Sequence, residues 1–161
     1  MYNIGDKIVY PMYGAGVIEA IEEKEILGVT QKYYVMKMPM GDMKVMIPML
    51  NVEEIGIRNI IDGTEADNVF ESFKEFDAEC DLSWNKRYRE NMLKIKSGDI
   101  YEVARVVKML MCRDKKKGLS TGERKMLSNA KQILTSELVL AKGITHEDIE
   151  QKMNEIISEL D

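Results

Sequence analysis

Cysteine, histidine and tryptophan are all scarce in this chain, and each shortage removes a class of explanation. The two cysteines, Cys80 and Cys112, form no CxxC pair, and His146 is the only histidine. A structural zinc site draws on four close thiolate or imidazole ligands, so no metal is expected and both thiols read as reduced. Cys/His or Ser/His/Asp catalysis is excluded on the same ground, because His146 falls in the first turn of an acidic terminal helix with no nucleophile near it in sequence. P-loop, HExxH and GxSxG patterns are absent. No apolar run approaches the ~20 residues a membrane helix needs. The opening MYNIGDKIVYP lacks a charged segment followed by an apolar one. These absences lead to the expectation of a cytoplasmic protein without catalytic residues, cofactor or membrane contact.

What the chain does have is charge sorted by position. The net charge of −5 conceals a segment from Trp84 to Lys142 with fifteen Lys/Arg against six Asp/Glu. The flanks are acidic, at −3 for residues 1–62, −6 for residues 63–83 and −5 for residues 143–161. Overall acidity therefore says little about partners, since a local basic face can meet phosphates.

The hydrophobic period changes once. Up to about residue 60, short β-branched and aromatic runs are broken by Gly and Pro: Lys7 to Tyr10, Val17 to Ile26, Gln31 to Met38 and Lys44 to Ile47, with turns at Gly14 to Gly16, Leu27 to Val29 and Pro39 to Asp42. Such punctuation predicts a five-stranded antiparallel β-barrel, in which closure removes exposed edges. Met36, Met38, Met40, Met43, Met46 and Met49 crowd one stretch. Alternation puts Met36 and Met38 on one face, and methionine suits both core filling and adaptable protein contacts.

From Thr64 onward the period is helical. A helix is predicted from Glu65 to Lys74, then an acidic linker (Asp77, Glu79, Asp81), then a helix from Trp84 to Lys96 capped by Ser83. Asp99 with Glu102, and Ser120 with Glu123, have capping-box spacing and open helices to Arg113 and to about Lys142. A last amphipathic helix spans Thr145 to Leu160, with Ile149, Met153, Ile156 and Leu160 inward. The chain reads as α+β, with the small barrel over 1–62 and an all-helical domain over 63–161.

Binding is the chemistry this pattern supports. Lys86, Arg87 and Arg89 cluster in the first turns of one helix, and Arg124, Lys125 and Lys131 recur on the long one; such groups neutralise phosphates. Trp84 leaves two readings open. It stands four before Tyr88 and could end a core stripe, or it could project from the helix start to stack on bases or wedge between them.

Three segments, GDKIVYPMYGAGVIEAIE (Gly5 to Glu22), SGDIYEVARVV (Ser97 to Val107) and GLSTGERKMLSNAKQIL (Gly118 to Leu134), resemble in order the CarD family of bacterial transcription regulators, also called CdnL. The resemblance implies a Tudor-like, SH3-like N-terminal domain that binds the RNA polymerase β subunit. It also implies a helical domain contacting promoter DNA, whose tryptophan enters the upstream edge of the transcription bubble and stabilises the open complex without base-specific readout. Trp84, Lys86, Arg89 and Arg124 align with the family's DNA-contacting residues. On the polymerase side, Lys24 and Met46 stand where family members often carry arginine. Lys24 keeps the charge without the bidentate fork, and Met46 loses it. A more apolar docking surface of Lys24, Met43, Lys44 and Met46 is implied, together with strand pairing along a barrel edge. The expected species is a monomer on polymerase. Two rivals are an adaptor without DNA contact, in which Trp84 is core, and a nucleic-acid enzyme, which would need a carboxylate metal cluster that the basic segment lacks.

Overall fold

The structure, a computed structural model, describes residues 1–76 and 83–159. Cys80, the acidic linker residues Asp77, Glu79 and Asp81, and the inward position assigned to Leu160 lie outside the described residues. Strands β1 (Lys7–Tyr10), β2 (Gly14–Ile26), β3 (Val29–Lys37), β4 (Lys44–Pro48) and β5 (Arg58–Asn59) form one antiparallel sheet in the order β4-β3-β2-β1-β5. β4 and β5 are its two edges, so the sheet is open rather than the closed barrel expected from the strand spacing. A 3-10 turn (Met49–Asn51) and a short helix α1 (Val52–Ile55) lead from β4 to β5.

The first reversal is also displaced from its predicted place. It falls at Pro11 to Tyr13, where Met12 takes φ 78°, and Gly14 to Gly16 already belong to β2. Between β2 and β3, Leu27 and Gly28 both have positive φ (53° and 78°), the backbone that a two-residue hairpin in a right-twisted ribbon requires. The inner face buries Ile8, Ile18, Tyr34, Met36, Met38, Ile47 and Ile57. Met36 and Met38 thus fill core.

β2 and β3 outrun their neighbours. β1 reaches only to Val17 on β2, and β4 meets β3 only from Tyr33 to Lys37. The remainder, Glu23 to Ile26 with Val29 to Lys32, projects as a two-stranded ribbon, and Leu27 at its tip is 98% exposed.

Helices α2 (Gly63–Glu75), α3 (Trp84–Lys96), α4 (Ile100–Lys116), α5 (Thr121–Lys142) and α6 (His146–Ser158) bury a second core, with α4 packed against the other four. The predicted stripe of α4 (Ile100, Val103, Val107, Leu110) is buried, as are Ile149 and Met153 of α6. Caps depart from the sequence pattern in detail. Asp99 caps α4 through Tyr101 N–H, Ser83 makes no side-chain cap, and the full capping box lies at Thr145 and Asp148 on α6.

Helix α5 packs on β2, and this contact joins the two halves. Ala15 N–H donates to Ser136 Oγ at 2.8 Å, and Arg58 forms a fork onto Glu137 with two 2.7 Å bonds. Ile61 N–H donates to the same carboxylate at 2.9 Å, while Arg58 Nε reaches Gly98 O at 3.0 Å. The approach is so close that a Cβ on Gly14, whose φ is +110°, would sit 2.6 Å from Ser136 Oγ and 3.3 Å from Ile133 Cα. Gly14→Ala should therefore cost about 1–3 kcal/mol in thermal unfolding through backbone strain and this collision. Wild-type stability in that variant would show that the joint yields.

Candidate nucleic-acid interface

Two helix starts meet here. Trp84 opens α3 and Ser120 caps α5, and Trp84 Nε1–H donates to Ser120 Oγ at 3.1 Å. Tyr88, one turn along α3, stacks on the indole with centroids 5.1 Å apart and planes inclined by 20°. Both rings lie over the first turn of α5 at Gly122, where a Cβ would make ordinary van der Waals contact, 3.8 Å from Trp84 Cζ2 and 3.6 Å from Tyr88 Cε2. Trp84 nevertheless stays 43% exposed, which settles its position: it lies outside the helical core. With Met92 and Leu93 it lines a shallow apolar groove flanked by Arg89 and Lys96.

Beneath this surface lies an ion cluster. Arg87, three residues after Trp84, turns inward and is 4% exposed. Its Nε donates to Glu123 Oε2 at 2.9 Å and its Nη2 to Oε1 at 3.3 Å; Arg113 Nε stands 4.0 Å from Oε1. Arg87 is therefore structural in placement, correcting the expectation that it joins the exposed basic face: helical spacing points residue 87 at α5 while residues 86 and 89 face solvent. Burial pushes the Glu123 carboxyl up, but the Arg87 hydrogen bond and charge, with Arg113 and a backbone hydrogen bond at Ser120, bring it below the usual carboxylate range. The capping-box expectation is thus half met. Ser120 Oγ does accept from Glu123 N–H at 3.2 Å, while the Glu123 side chain serves the arginines.

The remaining basic residues divide. Lys86, Arg89, Arg124 and Lys125 are exposed, and Arg124 lies 3.8 Å from Asp114. Lys131, two turns further along α5, pairs with Glu150 of α6 at 3.3 Å and is only 24% exposed, so it is drawn away from the others toward the acidic helix. Lys115 likewise folds back, donating to Ile157 O at 3.2 Å. Of the residues that the sequence singles out for DNA contact, Trp84, Lys86, Arg89, Arg124 and Lys125 are exposed, whereas Ser120 reads in the sequence only as a cap. The pairing of Ser120 with Trp84 carries no local signal, because the two are 36 residues apart.

Comparison with known proteins adds the family. Residues 2–61 match the CarD-like/TRCF RID domain and residues 68–154 the CarD C-terminal domain. This chain belongs to the CarD family. A relative from Bacillus subtilis (strain 168), described as "Putative transcription factor YdeB", is 46% identical over 149 residues, covering 92% of this chain and 97% of the relative. The solution NMR structure of the 72-residue N-terminal domain of Myxococcus xanthus CarD is 32% identical, covering 37% of this chain and 79% of that one, with a TM-score of 0.33. As a CarD-family member the protein is a transcription regulator with an RNA polymerase-interacting domain at its N-terminal end.

In that N-terminal part, Met46 of β4 faces Val35 of β3, which faces Ala20 of β2, so the three share the outer face of the sheet. Lys24 lies on the same face four residues further out, opposite Gln31 in the ribbon. Met43, just before β4, is 46% exposed. Lys44 pairs with Glu19 at 2.9 Å, and that hydrogen bond, followed by the carboxylate's charge, raises the lysine above its ordinary range. Lys24, Lys44 and Met46 thus lie along one side of the sheet without forming a compact cluster, and Met43 stands in the turn before β4.

Proposed function

We propose that this protein docks on the β subunit of RNA polymerase through the outer face and free strand edges of its sheet, and stabilises the promoter open complex through the paired starts of α3 and α5. The observation that carries this reading is the half-exposed Trp84, one indole face on Tyr88, set among Lys86, Arg89, Arg124 and Lys125. An aromatic face beside phosphate-binding cations is what unpaired or splayed DNA recognises without regard to sequence. The cations neutralise backbone phosphates at the edge of the bubble, and the indole fills the widened minor groove, which slows reannealing. Docking on polymerase supplies the concentration: a tethered second contact operates at an effective millimolar level, so weak intrinsic DNA affinity suffices.

The hydrogen-bonded joint between the halves supports this division of labour. A wedge is useful only if its carrier holds a fixed direction relative to the docked sheet, and the Arg58–Glu137 fork together with the Ala15–Ser136 bond ties α5 to β1, β2 and β5.

The decisive experiment measures open-complex lifetime after competitor challenge on a promoter with an unstable bubble. If stacking contributes ~1–3 kcal/mol, Trp84→Ala should shorten the lifetime about fivefold to a hundredfold relative to wild type. Equal lifetimes for the two proteins, with polymerase binding intact, would leave an adaptor without DNA contact.

A further inference from the structure

Trp84 is the only tryptophan in the chain, and its indole is held on two sides. Tyr88 supports one face, and Ser120 Oγ accepts from Nε1–H. The same oxygen accepts from Glu123 N–H at 3.2 Å and has Glu123 Oε1 as an acceptor for its own hydrogen at a long 3.5 Å. A hydroxyl has one hydrogen to donate and two lone pairs to offer, so the contacts to Trp84 and Glu123 use all three. Glu123 in turn is gripped by Arg87, which returns the chain of contacts to α3, three residues from Trp84.

We propose that Ser120 is a positioning residue for Trp84. The buried carboxylate of Glu123 orients the hydroxyl hydrogen, which leaves a lone pair aimed at the indole N–H. The ring is then held in one rotamer with its free face outward, before any DNA is present. An exposed tryptophan at a helix start would otherwise sample several staggered positions, and fixing one would oppose DNA binding. Ser120 removes that cost in advance, and its N–H bond leaves only the π face and ring edge for the ligand. This rests on the reading of Trp84 as the DNA-contacting side chain.

Because no other tryptophan is present, emission from the full-length protein reports on this ring alone. Two substitutions remove the hydroxyl: Ser120→Ala, and Ser120→Gly, which the N-cap position tolerates and which guards against a merely unwound helix. Both should enlarge the fast component of the anisotropy decay, on the picosecond to nanosecond scale of free rotamer exchange, and increase quenching by acrylamide. Ser120→Thr, which keeps the hydroxyl, should match wild type. In the polymerase assay the two hydroxyl-lacking variants should shorten open-complex lifetime about two- to tenfold, the range expected for restoring one side chain's freedom. In a Trp84→Ala background, Ser120→Ala should shorten it no further.

Unchanged anisotropy and quenching in Ser120→Ala and Ser120→Gly would overturn the tether itself. An equal loss of lifetime in the Trp84→Ala background would overturn the positioning role, because it would assign Ser120 an effect independent of the ring. If the ring loosens as expected but Trp84→Ala leaves lifetime intact, the DNA-contact reading fails and the positioning role falls with it. The fluorescence arm therefore separates the two failures.

Discussion

Arg58→Ala is expected to lower the melting temperature by about 6–20 °C, the consequence of a destabilisation of about 3–5 kcal/mol in a chain of this size. The reason lies in what is left behind. Glu137 is 1% exposed, and both its oxygens are engaged by the Arg58 fork, one of them also by Ile61 N–H. Removing the guanidinium leaves the buried carboxylate with one backbone donor, which does not replace two charge-assisted bonds. Arg58 also holds Gly98 O, at the turn between α3 and α4, so its loss unpins three elements at once. Small-angle scattering should show the sheet and the helices sampling a wider range of mutual orientations. Arg58→Lys keeps the charge and loses the fork, and should fall between alanine and wild type. Melting of Arg58→Ala within a degree or two of wild type would mean that the sheet and helices are held together by apolar contact alone.

The second large effect is expected at Glu123. Glu123→Ala withdraws the carboxylate shared by Arg87 and Arg113, with Arg87 only 4% exposed, and should cost about 3–5 kcal/mol. Replacing the pair together, Arg87→Met with Glu123→Leu, removes both charges and should recover most of that loss, since a buried ion pair seldom outperforms well-packed apolar side chains. The pH dependence has a definite sign. The folded-state value of Glu123 is depressed, so its contribution is fully present above the unfolded carboxylate value of ~4.3 and disappears as the pH falls through the lower folded value. Urea titrations across the acid range should therefore show a steeper loss of stability in wild type than in the double variant. Parallel curves would argue that Glu123 is not the group responsible.

How far the sequence foretells this molecule can be traced residue by residue. Apolar periodicity located the five helices from α2 to α6 and the four longer strands, because burial of one face imposes a period that survives in the letters. It failed where burial is polar. Ser136 and Glu137 interrupt the apolar stripe of α5, yet both are buried, because β2 and Arg58 cover a second face of that helix. Arg87 misled for the same reason: a charge beside Lys86 and Arg89 looks like part of one cluster, and only its distant partner Glu123 explains its inward turn. Sheet closure was equally illegible, since strand spacing gives the number of strands but not whether the first and last meet. The contact of Trp84 with Ser120 spans 36 residues, a distance at which no local pattern operates.

An open sheet exposes unpaired backbone, and that invites aggregation. Each free edge of this one is blunted differently. β5 is two residues long, and β4 carries Lys44 near its start and Pro48 at its end, with a backbone nitrogen that cannot donate to an incoming strand. The ribbon is the longest unguarded stretch, and there β2 reads Glu23-Lys24-Glu25. Two copies pairing through that edge would bring mostly like charges together, so self-addition is disfavoured while a strand of opposite charge is not. The protein can thus keep an edge available to a partner in a crowded cell without polymerising through it.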